Sequence, residues 1–266
     1  MKYLHAYHAG NFADVHKHVA LLALLAALKR KDKGFAYLET HAGRGRYELG
    51  REAHDGIKRL QLAKVRESEL RDYLTKVAAY GDGYPGSPVL AARELRPQDR
   101  GVFIEIQPPE ARALQQSLDG AGSTRVECED GFERLRAHLP PPERRGLTFI
   151  DPPYEETRRD FERVAAAMSE ALLKFPTGVV AAWYPIKQER DAAAWLADVK
   201  QRVTAPLLSS ELWLYPRDSR VALNGSGLLI ANPPYQIAER MRVWLPELHS
   251  NLDAGHDGGS SVREDF

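Results

Sequence analysis

Apolar positions fall into short runs bounded by Gly, Pro, Asp or Asn. Seven of them predict β-strands: Phe35–Thr40, Val102–Ile106, Arg125–Cys128, Leu147–Ile150, Val179–Trp183, Glu211–Tyr215 and Gly227–Ala231. Helical spacing fills several of the gaps, at Pro109–Leu118, Asp160–Lys174 and Lys187–Val203. The alternation predicts an α/β fold with a seven-stranded, mostly parallel, doubly wound sheet. Ahead of the first strand, Val15, Val19, Leu22 and Leu25 mark one face of a helix that Asn11 or Asp14 would cap. Lys29, Arg30 and Lys31 suit its C-terminal end, and Gly34 is expected to close it in the left-handed conformation.

Two gaps break the rhythm. Only eleven residues, Pro216 to Ser226, join the sixth and seventh runs, too few for a parallel crossover, so this pair is expected to be antiparallel. About sixty residues separate the first and second runs, far beyond an ordinary loop. That stretch holds a charged helical segment, Gly56 to Tyr80, and then Tyr84-Pro85-Gly86-Ser87-Pro88. It is read as a small, mostly helical insertion over 46–98 within a single domain of 1–250. The remaining 251–266, with Gly-His-Asp-Gly-Gly-Ser-Ser inside it, is expected to be a flexible tail.

Composition narrows the class. Apolar residues at 43% and charged residues at 28% exclude a disordered chain. The longest apolar run, Val19 to Leu28, is ten residues and too short to span a bilayer. No signal-peptide pattern opens the chain, and the single Cys128 excludes an internal disulfide and a cysteine-built zinc site. A cytoplasmic protein is expected. The net charge is zero, yet residues 1–71 carry 14 Lys/Arg against 8 Asp/Glu. Such a basic third suits a polyanion, because Lys and Arg displace counterions from phosphates, and it also suits an ordinary solvated surface.

The chemistry gathers at strand ends. The first strand runs into Thr40-His41-Ala42-Gly43-Arg44-Gly45, where paired glycines let the backbone approach a nucleotide-like ligand. The second ends in Glu105, placed to accept ribose hydroxyls, and the third in Glu129-Asp130-Gly131. The fourth runs directly into Asp151-Pro152-Pro153-Tyr154. Adenine's exocyclic amine is a poor nucleophile because its lone pair is delocalised into the ring. The Asp151 carboxylate and the Pro152 carbonyl can accept its two N–H hydrogens, drawing the lone pair toward a methyl donor. Tyr154 is expected to offer a flat face to a flipped base.

A second copy, Asn232-Pro233-Pro234-Tyr235, follows the seventh strand. An antiparallel seventh strand would send it to the opposite edge of the sheet, so Asn232 is read as structural. Tyr3, His5, Tyr7, His8, His16, Lys17 and His18 crowd the N-terminus. They are read as aromatic and basic groups near cofactor and nucleic acid, with Lys17 meeting phosphate, and no metal is expected.

These motifs resemble the bacterial 23S ribosomal RNA adenine-N6 methyltransferases that modify adenine 2030. The likeness spans nearly the whole chain: His8-Ala9-Gly10-Asn11, Asp14-Val15, Lys17-His18, Thr40-His41-Ala42-Gly43, Gly45-Arg46-Tyr47, Tyr84-Pro85-Gly86-Ser87-Pro88, Asp130-Gly131, Arg144-Arg145-Gly146, Ile150-Asp151-Pro152-Pro153-Tyr154, Trp183-Tyr184-Pro185 and Asn232-Pro233-Pro234. The resemblance implies a Rossmann-like class I fold, S-adenosylmethionine as donor and 23S ribosomal RNA as partner; a monomer is expected. It implies cofactor contacts at His18, His41, Ser87, Glu105, Asp130, Gly131 and Asp151, a proton acceptor at Asp151, and a substrate contact at Tyr3. Gln107 stands where relatives often have histidine. Two rivals stay open: a DNA adenine-N6 methyltransferase, and a non-catalytic RNA-binding protein that keeps the pocket.

Overall fold

The computed structural model describes residues 8–217, 219, 221–253 and 255–266. The first helix, α1 (Phe12–Lys29), begins at a reciprocal cap. The Asn11 side chain accepts from the Asp14 N–H (2.9 Å) while the Asp14 carboxylate accepts from the Gly10 N–H (3.0 Å). It is buried on nearly every side, as a helix with apolar residues all round must be. Among the described residues no helix is long and apolar enough to cross a membrane. Gly34 does not take the expected left-handed conformation. It is needed for space, because a Cβ there would lie 2.2 Å from the Gln98 carbonyl oxygen.

The main sheet contains β1 (Ala36–Glu39), β4 (Arg100–Ile104), β5 (Thr124–Glu127), β6 (Gly146–Ile150), β7 (Val179–Ile186), β8 (Leu207–Trp213), β9 (Gly225–Ala231) and β10 (Gly259–Glu264). Their order is β10-β8-β9-β7-β6-β1-β4-β5. β1 lies parallel between β4 and β6, and β6 is parallel to β7. β9 runs antiparallel to both β7 and β8, as the eleven-residue connection requires. This is the mostly parallel, doubly wound sheet that the alternation predicted, with one added edge strand.

That edge strand corrects the reading of the tail. Residues Gly259–Glu264 pair antiparallel with β8, giving eight strands where seven were expected. The unpaired N–H and C=O groups along β8 template the pairing whatever the side chains are, so Gly and Ser composition does not forbid it. Arg263 to Glu211 (3.2 Å) and the Leu207 N–H to Asp265 (3.2 Å) pin it further.

Helices cover both faces. One layer holds α1, α4 (Pro108–Ser117) and α8 (Ile237–Leu252), and the other holds α5 (Gly131–His138), α6 (Thr157–Lys174) and α7 (Glu189–Arg202). Alternate residues of a central strand serve the two cores, Tyr37 one and Leu38 the other. The segment between β1 and β4 contains β2 (Arg46–Glu48) paired antiparallel with β3 (Gly83–Pro85), two 3-10 turns, α2 (Ser68–Ala78) and α3 (Ser87–Glu94). Its Leu70, Tyr73 and Tyr84 join the core beside α1.

Register places Asn232 beyond Ala231, opposite Val180 at the start of β7. Its side-chain amide donates to the carbonyls of Pro176 (2.7 Å) and Gly178 (2.9 Å), and its φ is +53°. Asn232→Ala should therefore cost about 1–3 kcal/mol of stability and leave kcat within a few-fold of wild type. Denaturant melts paired with a methylation assay check this. A collapse of kcat in a folded variant would mean that the second Pro-Pro-Tyr loop is the reactive one.

Candidate active site

The parallel strands β1, β4, β6 and β7 deliver their C-terminal ends to one edge of the sheet, where a cavity of about 710 Å³ opens. His41, Gly43, Ser87 and Glu105 line one half, and Asp151, Pro152 and Trp183 line the other. Such a crevice at the carboxyl ends of strands is where open α/β sheets bind ligands.

In the first half, Glu105 is 7% exposed and its two oxygens accept from the N–H groups of Gly43 (2.9 Å) and Gln107 (2.8 Å). Burial holds this carboxyl above the usual carboxylate range, against the pull of those hydrogen bonds. Gly43 has φ +65°, and a Cβ there would sit 2.3 Å from the Tyr47 hydroxyl, so the loop tolerates only glycine. His41 Nδ1 pairs with the Thr40 hydroxyl at 2.8 Å. Burial, with Arg163 nearby, lowers its pKa to about 4 against the opposing charge of Asp130, so the ring is neutral at pH 7.

Charges are concentrated in the second half. Lys17 Nζ lies 2.6 Å from Asp151 Oδ2 and 2.9 Å from Asp14 Oδ1, with side-chain exposures of 5% for Lys17, 12% for Asp151 and 3% for Asp14. Burial works to lower the lysine pKa, but the two aspartates outweigh it and raise it above its ordinary value. Lys17 is thus not the phosphate contact that the sequence suggested. It is a cation buried between two carboxylates, one of them the candidate catalytic group.

Glu39, at the end of β1 and fully buried, accepts from the hydroxyls of Ser87 (2.5 Å) and Tyr37 (2.9 Å). Burial raises its pKa to about 8, and Asp151 adds to the rise, while the two hydroxyls and Lys17 oppose it. A raised carboxyl pKa contributes stability that is complete below its unfolded value near 4.5 and is lost as pH rises through about 8. Between pH 5 and 8.5 the wild type should therefore lose roughly a few kcal/mol that Glu39→Gln retains. Parallel slopes in unfolding experiments on the two proteins would refute it.

The Pro-Pro loop differs from expectation at Tyr154. This residue takes φ +50°, is 3% exposed, and donates its hydroxyl to the Trp183 carbonyl at 2.7 Å. Its ring meets Phe161 and Trp183 edge-on, so it braces the loop from behind and presents no open face. The half-exposed aromatic on the cavity wall is Trp183, fixed by its indole N–H to Ser226 (2.9 Å) with Lys17 Nζ 5.5 Å from its ring centroid. Among the described residues the Pro152 carbonyl accepts no hydrogen bond from the protein.

Of the residues singled out from the sequence, His41, Ser87, Glu105, Asp151, Pro152, Tyr154 and Lys17 meet at the cavity. His18, Asp130 and Gly131 do not line it. His18 stacks on Tyr84 behind the wall, with Nδ1 3.0 Å from its hydroxyl. Asp130 caps α5 through the Phe132 N–H (2.9 Å) and pairs with Arg163 (3.0 Å), while Gly131 backs onto the Thr40 carbonyl. Tyr3 lies outside the described residues. His16 is spent on structure, its ring nitrogens each 2.9 Å from a serine hydroxyl, Ser226 and Ser210.

Sequence reasoning gave Glu39, Asp14 and Trp183 no part in the site, although Asp14 was a candidate helix cap. An acid closing an apolar strand was a readable signal for Glu39. Nothing local marks the other two.

The model of the family described as "Ribosomal RNA large subunit methyltransferase D, RlmJ" matches residues 32–264. Ribosomal RNA large subunit methyltransferase J of Escherichia coli (strain K12) is 36% identical over 274 aligned positions, covering 98% of each chain. The chain belongs to this family. The protein of the same name from Haemophilus influenzae is 35% identical, over 95% of this chain and 94% of its own. A crystal structure from Legionella pneumophila superposes with a TM-score of 0.90 at 35% identity, covering 96% of this chain and 98% of that one. Membership in the RlmJ family makes S-adenosylmethionine the cofactor, and the cavity fits it. Glu105 is a buried carboxylate already turned to hydrogen-bond donors, and the Gly43 backbone lies bare beside it.

Proposed function

We propose that this protein transfers a methyl group to the N6 amine of an adenine in 23S ribosomal RNA, adenine 2030 by family resemblance. The observation that carries the reading is Asp151 held by Lys17 at 2.6 Å beside an unoccupied Pro152 carbonyl, at the edge of a cavity suited to the donor. S-adenosylmethionine, when bound, supplies an activated methyl group on a cationic sulfur. Glu105 would hold the ribose hydroxyls, while His41, Ser87 and the Gly43 backbone would line the rest of that half, with Asp130 and Gly131 setting α5 behind it.

Lys17 fixes Oδ2 of Asp151 and so directs Oδ1 and the Pro152 carbonyl at the two amine hydrogens. Asp151 then takes the proton released as the new N–C bond forms. Trp183 is the platform on which the extruded base stacks, a contact worth about 1–3 kcal/mol, and Tyr154 keeps the loop beneath it rigid. Tyr3 contacts the RNA, and His18 steadies the wall through Tyr84. The protein acts as a monomer in the cytoplasm and needs no metal.

The test is incubation with radiolabelled donor and four substrates: large-subunit RNA, assembled large subunits, transfer RNA and duplex DNA. Label at N6 of adenine in one of the first two supports the reading. Label in DNA alone, or in none, overturns it.

A further inference from the structure

Three residues of the inserted segment form an arrangement that methyl transfer does not use. Arg46 in β2 and Arg93 in α3 both place their guanidinium groups over the ring of Tyr80, at 4.9 and 4.8 Å from its centroid. Tyr80 is half-buried and packed on the core beside α1, so the ring is a fixed platform. Both arginines are exposed, and neither has a carboxylate partner among the described residues.

Their neighbours differ. Arg44 pairs with Glu110, Lys29 and Lys76 share Glu94, and Arg96 holds Asp99. Glu48 lies on the same face of β2 as Arg46, yet the two make no ion pair. Two like charges gathered on one ring repel, and the π-face offsets only part of that cost. What remains is a pair of guanidinium edges free to take an anion. Their planar forks match the oxygens of a carboxylate or a phosphate in bidentate fashion, and of these phosphate is the one a polyanion presents in series.

The position suits a long polyanion. β2 alternates, so Tyr47 turns inward onto the cavity at 6% exposure while Arg46 turns outward from the same ribbon. Arg46 thus directly precedes a residue of the cavity wall.

We propose that Arg46 and Arg93, held by Tyr80, grip the phosphate backbone of the RNA substrate outside the target nucleotide. This inference rests on the ribosomal RNA reading given above. The contact supplies affinity and orientation without reading sequence. Its signature is therefore a salt-dependent KM and not a change in chemistry.

The experiment uses the full chain as wild type, Arg46→Gln/Arg93→Gln, Arg46→Lys/Arg93→Lys and Tyr80→Leu. Binding of a labelled large-subunit RNA fragment is followed by fluorescence anisotropy across KCl concentrations. In parallel, kcat at saturating RNA and donor affinity by calorimetry are measured. The Gln pair should weaken RNA binding roughly tenfold and lower the slope of log K against log salt by about 1–2, equally for unrelated RNA sequences. Donor affinity and saturating kcat should stay near wild type. The Lys pair should keep the salt slope while losing part of the affinity, and Tyr80→Leu should fall between. Unchanged affinity and slope in the Gln pair would overturn the proposal, as would equal losses in RNA and donor binding, which mark a structural role. If the wild type methylated no ribosomal RNA, the functional reading itself would fall and carry this one with it.

Discussion

Asp151→Asn should lower kcat by roughly 10²–10⁴-fold while donor affinity changes little. The amide places either a donor or a neutral, weakly basic oxygen where the reaction needs an anionic acceptor, and it cannot take the proton. Lys17 would also lose its charged partner at 2.6 Å and keep only Asp14 at 2.9 Å. Donor binding should persist because Glu105, Gly43 and Ser87 lie in the other half of the cavity. Single-turnover kinetics with large-subunit RNA, set beside calorimetry with the donor, separate the two effects. A variant with near-normal kcat would remove Asp151 from the mechanism.

Lys17→Met should destabilise the fold by about 3–5 kcal/mol and reduce kcat as well. The loss is large because one side chain neutralises two buried carboxylates, and a third acid, Glu39, lies close enough for its ionisation to feel both Asp151 and Lys17. Without the ammonium, Asp14 and Asp151 face each other across a poorly solvated gap, and Oδ2 of Asp151 has nothing to fix its direction. The deficit should shrink toward low pH, where protons can stand in for the missing cation. Urea melts of the two proteins at pH 5 and pH 8 measure it. A loss below about 1 kcal/mol would mean that the triad is less coupled than its geometry implies.

Much of this protein was legible in the chain alone, for a physical reason. Strand runs, a connection too short for a crossover, and loops made of Gly, Pro and Asp are local patterns, and local patterns carry both the backbone preference and the edge of the sheet they reach. Asp151 beside the Gly43 loop and Asn232 on the far edge both follow from strand direction. Which side chains meet is a different matter. Lys17 looked like a phosphate contact because it sits in a basic stretch, and only packing of α1 brought it to an aspartate 134 residues away. Tyr154 has the same identity in sequence whether it faces a base or braces a loop, and the left-handed turn at that position chose the second. The tail became β10 because β8 offered an open edge, a property of the sheet and not of residues 259–264. The sequence determined the fold and the reactive loop through short-range preferences. The partners of each charged and aromatic group were decided by burial, which exists only once the whole chain has closed.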